Sequence, residues 1–297
     1  MEHEHESVVL HDGKGHALLS GADTVDTAIV YVHGFLGDPV DTWRDIVYFV
    51  DRLPGAPFAH CDLYFVNYGA EEDFVIASAN TIRRFIEHIF PTPPESYFRY
   101  AMREVDWRLK DNADQVVVVR EPGSYRRLIL VGHSLGTVVI RRLIADAAYY
   151  LDGTQAADAT DTIILKSDVR LFAPAHLGYR PLGLKRILAS PACLGALLCA
   201  PSGVLRAIAD LKENCHTLVQ LREETESYAQ RFPNVGSLHP HIIFGKKENI
   251  VVYGRYNTDP PKRFREVPGL DHTEICKISD IHQEAAYLVT EGKAESA

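Results

Sequence analysis

The segment Gly132-His-Ser-Leu-Gly136 constrains the fold of this chain more than any other feature of the sequence. An unbroken apolar run at residues 128–131 leads directly into it, and apolar residues at helical spacing follow it. Such a run is typical of a parallel strand that is buried on both faces. We therefore expect Ser134 at a sharp strand-to-helix turn, a nucleophile elbow, where a Cβ at Gly132 or Gly136 would collide with the neighbouring strand or helix. An ordinary glycine-rich turn is the alternative.

A second motif, His33-Gly34, ends another apolar run about a hundred residues upstream of the elbow. In hydrolase chemistry this position supplies backbone amides to a developing oxyanion, and a glycine lets the main chain approach the substrate carbonyl closely. We assign the two donors to the amides of Phe35 and Leu135. Taken alone, His33-Gly34 also fits a plain turn at the end of a strand. Its order ahead of the elbow favours the oxyanion hole.

A third motif near the C-terminus contains the candidate general base, His272. Residues 263–267 alternate like a strand, and His272 lies in the loop that follows. A serine nucleophile needs an imidazole that accepts its proton and later returns it to the leaving group. The chain has 14 histidines, so the candidate base is chosen by its position in the sequence. His272 follows the last expected strand, as the base does in the chain order serine, acid, histidine.

The remaining catalytic role requires a carboxylate that fixes the imidazole tautomer. Glu248 is the favoured candidate, because it follows the turn that closes the expected strand 241–244. Asp259, in an Asn-Thr-Asp-Pro turn, is the main competitor. Asp271 is a weaker one, since its position next to His272 is poorly suited to reach Nδ1 of that ring. A carboxylate elsewhere in the chain is a further candidate for the acid.

Together these motifs resemble a known group of proteins, the lipase-like serine esterases of the α/β-hydrolase fold. The residues that carry the resemblance are His33-Gly-Phe-Leu-Gly37, Thr42-Trp-Arg44, Gly132-His-Ser-Leu-Gly136, Ala173-Pro-Ala-His-Leu-Gly178 and Gly269-Leu-Asp-His-Thr-Glu-Ile-Cys-Lys277. Within that fold the chain is most similar to the group with phosphatidylglycerol-remodelling serine active-site proteins and GPI-inositol deacylases. The resemblance extends from residue 28 to the C-terminal helix, and it is weak in 74–127 and 179–239. It implies a Ser134, Glu248, His272 triad and no particular substrate.

Two departures from the resembling sequences concern single residues. In those sequences the acid commonly stands three residues after the glycine that closes this strand, usually as Asp, whereas this chain has Glu248 there. Either acid serves in this fold. Relatives often carry a Pro-His pair where this chain has Ala173-Pro-Ala-His. Because His176 is offset by one residue from that pair, we leave it out of the site.

Composition indicates one catalytic domain spanning residues 1–297. The hydrophobic content of 46% is ample for a core, and the net charge of −9 argues against a nucleic-acid partner and against a general attraction to anionic lipid surfaces. The five cysteines are odd in number and irregularly spaced, which favours reduced thiols, and no apolar segment led by Arg or Lys opens the chain. We expect a cytoplasmic protein, soluble or peripherally associated with a membrane, with no metal and no cofactor.

The hydrophobic pattern alternates between strands and helices, which is the signature of an α/β fold with a mainly parallel central sheet flanked by helices. Residues 116–119 fit either a strand or the end of a helix followed by a loop. The expected strands are 7–10, 16–19, 28–32, 62–66, 127–131, 168–172, 241–244 and 263–267, and the expected helices are 43–52, 76–89, 96–110, 136–151, 207–232 and 281–291.

The insertion at residues 179–239 is expected to form a helical lid. Its stretch 187–205 carries no charge, so its length alone allows a membrane span. A single membrane crossing there would place Ser134 and His272 on opposite sides of the bilayer, although the two residues must lie within hydrogen-bonding reach of each other. Prolines and glycines also break the stretch into short pieces, which favours a lid over an apolar pocket. Plain core packing and membrane insertion are the alternatives for this stretch. A lid of this kind is also compatible with transient contact with a membrane surface.

The sequence therefore predicts a serine hydrolase that cleaves carboxylic esters, of small molecules or of lipids, through an acyl-enzyme. One alternative is a binding or effector module that keeps the hydrolase scaffold without catalysis, since a fold alone does not establish a function. Another is an acyltransferase that uses the same triad. The acyl length, the headgroup and the oligomeric state do not follow from the sequence.

Overall fold

The computed structural model describes residues 5–10, 15–35, 37–43, 46, 49–68, 74–101, 116–152, 158–189, 209, 211–277 and 283–291. Its strands are β1 (His5–Leu10), β2 (Gly15–Ser20), β3 (Thr27–Val32), β4 (Cys61–Val66), β5 (Arg99–Ala101), β6 (Val116–Val118), β7 (Arg127–His133), β8 (Asp168–Phe172), β9 (His241–Gly245) and β10 (Phe264–Val267). Its helices are α1 (Phe74–Ile89), α2 (Leu135–Tyr149), α3 (Ala159–Leu165), α4 (Pro181–Leu188), α5 (His216–Arg231) and α6 (Glu284–Thr290).

Eight of these strands form one sheet in the order β1-β2-β4-β3-β7-β8-β9-β10. β2 runs antiparallel to both of its neighbours, and the remaining pairs are parallel. This is the strand order of the α/β-hydrolase fold once β5 and β6, which pair only with each other, are left out. The fold class expected from the sequence is confirmed.

The centre of the sheet is buried on both faces. Every residue of β3 and β4 is buried, in agreement with their almost uninterrupted apolar sequences. Helix α2 packs against α1, α3 and α5, so its side chains are buried around most of its circumference. A single cluster of buried side chains extends from Val8 in β1 to Val289 in α6. The parallel strands of the sheet end at one edge, and the loops that follow them meet there.

The strands predicted from the hydrophobic pattern are confirmed within two residues at each end. One predicted helix, 96–110, is wrong in its described part, where a short 3₁₀ turn (Glu95–Tyr97) precedes β5. β5 pairs antiparallel with β6, so partners distant in sequence override the local helical pattern. The rest of that prediction, 102–110, lies outside the described residues, as do parts of the predicted helix 43–52.

The predicted lid, 179–239, is described in part. It contains α4 and α5, whereas residues 190–208 and 210 lie outside the described ranges. The uncharged stretch 187–205 falls almost entirely on those residues. Within the described part of the chain, no helix combines the length and the apolar character that a membrane crossing requires. The lid itself stays a prediction.

Candidate active site

The turn between β7 and α2 presents Ser134 at the edge of the sheet. Ser134 has φ +53°, a conformation that non-glycine residues rarely adopt. A Cβ built on Gly132 would lie 3.0 Å from the backbone nitrogen of Thr137, and one built on Gly136 would lie 2.2 Å from the carbonyl oxygen of Val32. Both positions therefore need glycine, as the sequence predicts, because the elbow brings main chains into close approach.

Gly136→Ala should be severely destabilising, because the atoms that its Cβ would strike belong to the backbone of the central strand β3. Neither that strand nor α2 can yield without disturbing the core. We expect a loss of about 3 kcal/mol or more in the free energy of unfolding, measured by chemical denaturation. Gly236→Ala is the matched control, since a Cβ there meets nothing within 4 Å. A Gly136→Ala protein as stable as the control variant would contradict the tight elbow.

A continuous chain of hydrogen bonds joins the three predicted catalytic side chains, all of them buried. Ser134 Oγ lies 3.0 Å from His272 Nε2, and His272 Nδ1 lies 2.9 Å from Glu248 Oε2. The other carboxylate oxygen, Glu248 Oε1, accepts hydrogen bonds from the backbone amides of Ile250 and Val251 at 2.7 and 3.0 Å. Three elements that are far apart in sequence thus bring one hydroxyl, one imidazole and one carboxylate into line.

The surroundings of Glu248 favour its ionised form. Burial raises the pKa of this carboxyl, but the hydrogen bond and the charge interaction with His272, together with the two backbone amides, outweigh burial and bring the pKa below its ordinary value. Glu248 therefore carries a negative charge at neutral pH. A fixed carboxylate beside Nδ1 keeps the proton on that nitrogen and leaves Nε2 free to accept one.

The competing carboxylates have other partners. Asp259 forms a buried ion pair with Arg141, with 2.7 Å between Oδ2 and Nη2. Asp271 Oδ1 accepts hydrogen bonds from the backbone amides of Thr273 and Glu274, so it caps the turn that carries His272. Among the contacts of the described residues, only Glu248 bonds to Nδ1 of the His272 ring.

The histidine that the sequence analysis left out of the site, His176, lies with the Arg141–Asp259 pair. Its Nδ1 accepts a hydrogen bond from Arg141 Nε at 3.2 Å, and its Nε2 donates to the carbonyl of Gly254. Burial, followed by the nearby charge of Arg141, holds the pKa of this imidazole well below its ordinary value. His176 therefore belongs to a buried network behind the elbow helix.

The loop after β3 lies against the nucleophile. A Cβ built on Gly34 would be 3.0 Å from Ser134 Cβ. Tyr68 donates a hydrogen bond to the carbonyl of His33 and stacks on its ring, with 4.3 Å between the centroids, so the start of this loop is held in place. Leu135 is the first residue of α2, and its amide has no acceptor within the helix. The loop carrying Phe35 and the N-terminus of α2 thus both lie next to Ser134. The assignment of the Phe35 and Leu135 amides to an oxyanion hole stays a prediction.

His133, which precedes the nucleophile, supports the loop of the candidate base. Its Nε2 donates to the backbone carbonyl of His272 at 2.8 Å. Burial, followed by the proximity of His272, lowers the pKa of His133 to about 3. His133 is therefore neutral in the folded protein at neutral and mildly acidic pH. Sequence reasoning missed this role, because nothing but its place beside Ser134 marks the residue.

The neutral His133 should make folding stability depend on pH. Below about pH 6.5, the ordinary value of a histidine pKa, the unfolded chain binds a proton that the folded protein excludes. This histidine therefore lowers the free energy of unfolding by about 1.4 kcal/mol for each pH unit between that value and about pH 3. His133→Gln, which keeps a donor, should reduce the slope of stability against pH by that amount. Equal slopes in urea titrations of the two proteins would show that His133 is protonated in the folded state.

Tyr179 adds a contact to the nucleophile that the sequence analysis did not foresee. Its hydroxyl oxygen lies 3.3 Å from Ser134 Oγ, and its side chain is buried. Burial raises the pKa of Tyr179 to about 12, so the hydroxyl keeps its proton at neutral pH. In the sequence, nothing marks Tyr179 except that it is the first residue of the insertion 179–239.

A cavity of about 510 Å³ opens above Ser134, a volume in the range of small-molecule sites. Its lining combines an apolar wall with charged side chains of both signs. The apolar members include Phe35, Ile250 and Cys276, and the charged ones are Asp38, Asp41, Arg186 and Lys277. Within the described residues, no group of three or more His, Cys, Asp or Glu side chains could hold a metal ion.

Comparisons with known proteins find similar structures only. No protein-family model and no curated protein matches the sequence. A membrane phospholipase A, described as a bacterial virulence factor, is 16% identical with a TM-score of 0.46, over 100% of this chain and 88% of that one. Est1E from Butyrivibrio proteoclasticus is 14% identical with a TM-score of 0.45, over 98% of both chains. The carboxylesterase CesB from Bacillus subtilis is 13% identical with a TM-score of 0.44, over 98% and 93%.

The assignment of the fold rests on this chain's own sheet and elbow. The strand order, the serine at the turn after the central strand β7, and the sequence order Ser134, Glu248, His272 all agree. The narrower group named from the motifs, with phosphatidylglycerol-remodelling proteins and GPI-inositol deacylases, stays a prediction. The protein has the α/β-hydrolase fold, within which its sequence resembles the lipase-like serine esterases.

Proposed function

We propose that this protein is a serine hydrolase that cleaves carboxylic esters through an acyl-enzyme intermediate. The observation that carries the proposal is the hydrogen-bond chain from Glu248 through His272 to Ser134, beside a cavity of suitable volume. A serine hydroxyl is a weak nucleophile until a base removes its proton. Here Nε2 of His272 is within reach of that proton.

In the first half of the reaction, Ser134 Oγ attacks the carbonyl carbon of the ester while His272 Nε2 takes the hydroxyl proton. The carbonyl oxygen becomes negative and is stabilised by the backbone amides of Phe35 and Leu135. The tetrahedral intermediate then collapses, and the protonated His272 gives its proton to the departing alcohol oxygen. Glu248 stabilises the imidazolium throughout and keeps its proton on the correct nitrogen.

In the second half, water enters the place of the alcohol. His272 takes a proton from this water as its oxygen adds to the acyl carbon. The C–Oγ bond then breaks, Oγ receives the proton from Nε2, and the carboxylic acid leaves. The proposed mechanism uses only protein side chains and backbone amides, so it requires no cofactor.

The cavity indicates a class of substrate but no single compound. The apolar wall near Phe35 and Ile250 suits an acyl chain, while the charges of Asp38, Arg186 and Lys277 suit a polar alcohol part. A small-molecule or lipid acyl ester satisfies both. Transient contact of the lid with a membrane surface and a cytoplasmic location are further proposals, the first of which sedimentation with lipid vesicles would test.

A panel of acyl esters tests the proposed activity. The purified protein should hydrolyse p-nitrophenyl acetate, butyrate, octanoate or dodecanoate with saturation kinetics, and the matching p-nitroanilides more slowly. Including a primary alcohol separates the alternative of acyl transfer, since a transferase would form mainly the new ester. A folded protein that binds these esters but cleaves none of them would instead support a non-catalytic binding module.

A further inference from the structure

Tyr179 is positioned against the nucleophile by main-chain contacts on both sides. It follows β8 and precedes α4, and its amide donates to the carbonyl of Leu211 at 2.9 Å. Isolated β-bridges join Tyr179 to Lys212 and to Val251, whose amide also bonds to Glu248. Because Tyr179 is only 3% exposed, its hydroxyl has little freedom to leave Ser134 Oγ.

The direction of the hydrogen bond follows from the other partners of Ser134. Glu248 holds the proton of His272 on Nδ1, so Nε2 is an acceptor and takes the hydrogen bond from the serine O–H. The serine oxygen can then offer only a lone pair to Tyr179. Tyr179 therefore donates its O–H to Ser134 Oγ, the atom that forms and breaks the bond to the acyl group.

The strength of this hydrogen bond changes during the reaction. In the resting enzyme Oγ is a hydroxyl oxygen, which is a good acceptor. In the acyl-enzyme it is the alkyl oxygen of an ester, a poor acceptor because its lone pair is conjugated with the carbonyl. When the C–Oγ bond breaks, negative charge builds up on Oγ, and hydrogen bonds to charged oxygens are the strong ones. Relative to the acyl-enzyme, the donor therefore stabilises the transition state of Oγ departure.

We propose that Tyr179 is a catalytic residue that speeds breakdown of the acyl-enzyme by donating a hydrogen bond to the departing Ser134 Oγ. The inference rests on the proposed serine hydrolase function and names a role outside the triad. During that step the C–Oγ bond breaks, its electron pair stays on Oγ, and the proton on His272 Nε2 moves to Oγ. Tyr179 keeps its own proton throughout.

Two rates measured on Tyr179→Phe test this role. For acylation, kcat/KM for p-nitrophenyl acetate compares the first transition state with the free enzyme, in which the hydroxyl oxygen Oγ already accepts the hydrogen bond, so that only the gain in its strength counts. For breakdown, the protein is carbamylated with p-nitrophenyl N-methylcarbamate and its reactivation is followed. We expect reactivation to slow by about tenfold, the size of one hydrogen bond to a charged group. The loss in kcat/KM should be clearly smaller, because the free enzyme already has this hydrogen bond whereas the acyl-enzyme has lost most of it.

Tyr31→Phe is the matched control, because Tyr31 is a buried tyrosine whose hydroxyl has no hydrogen-bond partner among the described residues. It should leave both rates unchanged. Site-specific 3-fluorotyrosine at position 179 keeps the hydroxyl and makes it a stronger donor, so reactivation should become faster. This second variant reports on the bond without removing any atom from the core.

Three outcomes are distinguishable. Reactivation of Tyr179→Phe at the wild-type rate would overturn the inference. Equal losses in kcat/KM and in reactivation would also overturn it, because they would mean that Tyr179 merely holds the serine rotamer. A wild-type protein that neither hydrolyses the acetate nor becomes carbamylated would contradict the proposed hydrolase function itself.

Discussion

Ser134→Ala should lower the turnover of an ester by about 10⁶-fold, the loss seen when a serine triad acts as a unit. The substitution removes the atom that bonds to the acyl group, so no acyl-enzyme can form. The fold should survive, because alanine keeps the Cβ and the elbow is shaped by Gly132 and Gly136. The measurement is kcat on the best ester of the panel, with circular dichroism and the unfolding midpoint recorded on the same preparation.

The residual rate of this variant is informative as well. Amides at the oxyanion position and substrate binding alone typically leave a rate about 10³ to 10⁴ above that in water. A residual rate of that size would support the oxyanion role of the Phe35 and Leu135 amides. Turnover equal to that of the wild type would mean that Ser134 is not the nucleophile.

Glu248→Gln should lower kcat by about 10⁴-fold, as the corresponding change does in a comparable triad. The amide oxygen of glutamine would face the backbone N–H groups of Ile250 and Val251, because those donors already occupy Oε1. Its NH₂ group would then face His272 Nδ1 and require that nitrogen to accept. The proton would move to Nε2, and the ring could no longer take the proton of Ser134.

Asp259→Asn is the matched control for the carboxylate, since it changes the main competitor in the same way. Its kcat should stay within about tenfold of the wild type, because the residue does not touch the His272 ring. Its stability should fall by about 3 kcal/mol, because Arg141 would remain buried without its anionic partner. The opposite pattern, with turnover abolished by Asp259→Asn and retained by Glu248→Gln, would move the role of the acid to Asp259.

The parts of the fold that the sequence predicted are those specified by local pattern. The central strands are buried on both faces, so their apolar runs are visible without knowledge of their neighbours. The elbow is equally local, since the close approach at Gly136 excludes any side chain. Glu248 and His272 could be chosen because each follows a strand that ends at the same edge of the sheet.

Other features depend on contacts between distant segments, which no local pattern reveals. The sequence pattern predicts a helix at the residues that form β5. Their strand conformation depends on pairing with β6. The contact of Tyr179 with Ser134 depends on how the chain returns from β8 across the edge of the sheet. Likewise, the bond from His133 to the carbonyl of His272 joins residues 139 positions apart. The sequence therefore predicted the three side chains that the structure joins by hydrogen bonds, and it did not reveal Tyr179 and His133, which contact them.

Labelling with a fluorophosphonate, followed by mass spectrometry of the tryptic peptides, tests the central claim most directly. Such reagents modify an activated serine and leave unactivated hydroxyls alone, so the label reports on the nucleophile whatever the natural substrate is. The account predicts a single adduct on Ser134, absent from Ser134→Ala and formed far more slowly in Glu248→Gln. An adduct on another residue, or no adduct on a folded wild-type protein, would contradict it.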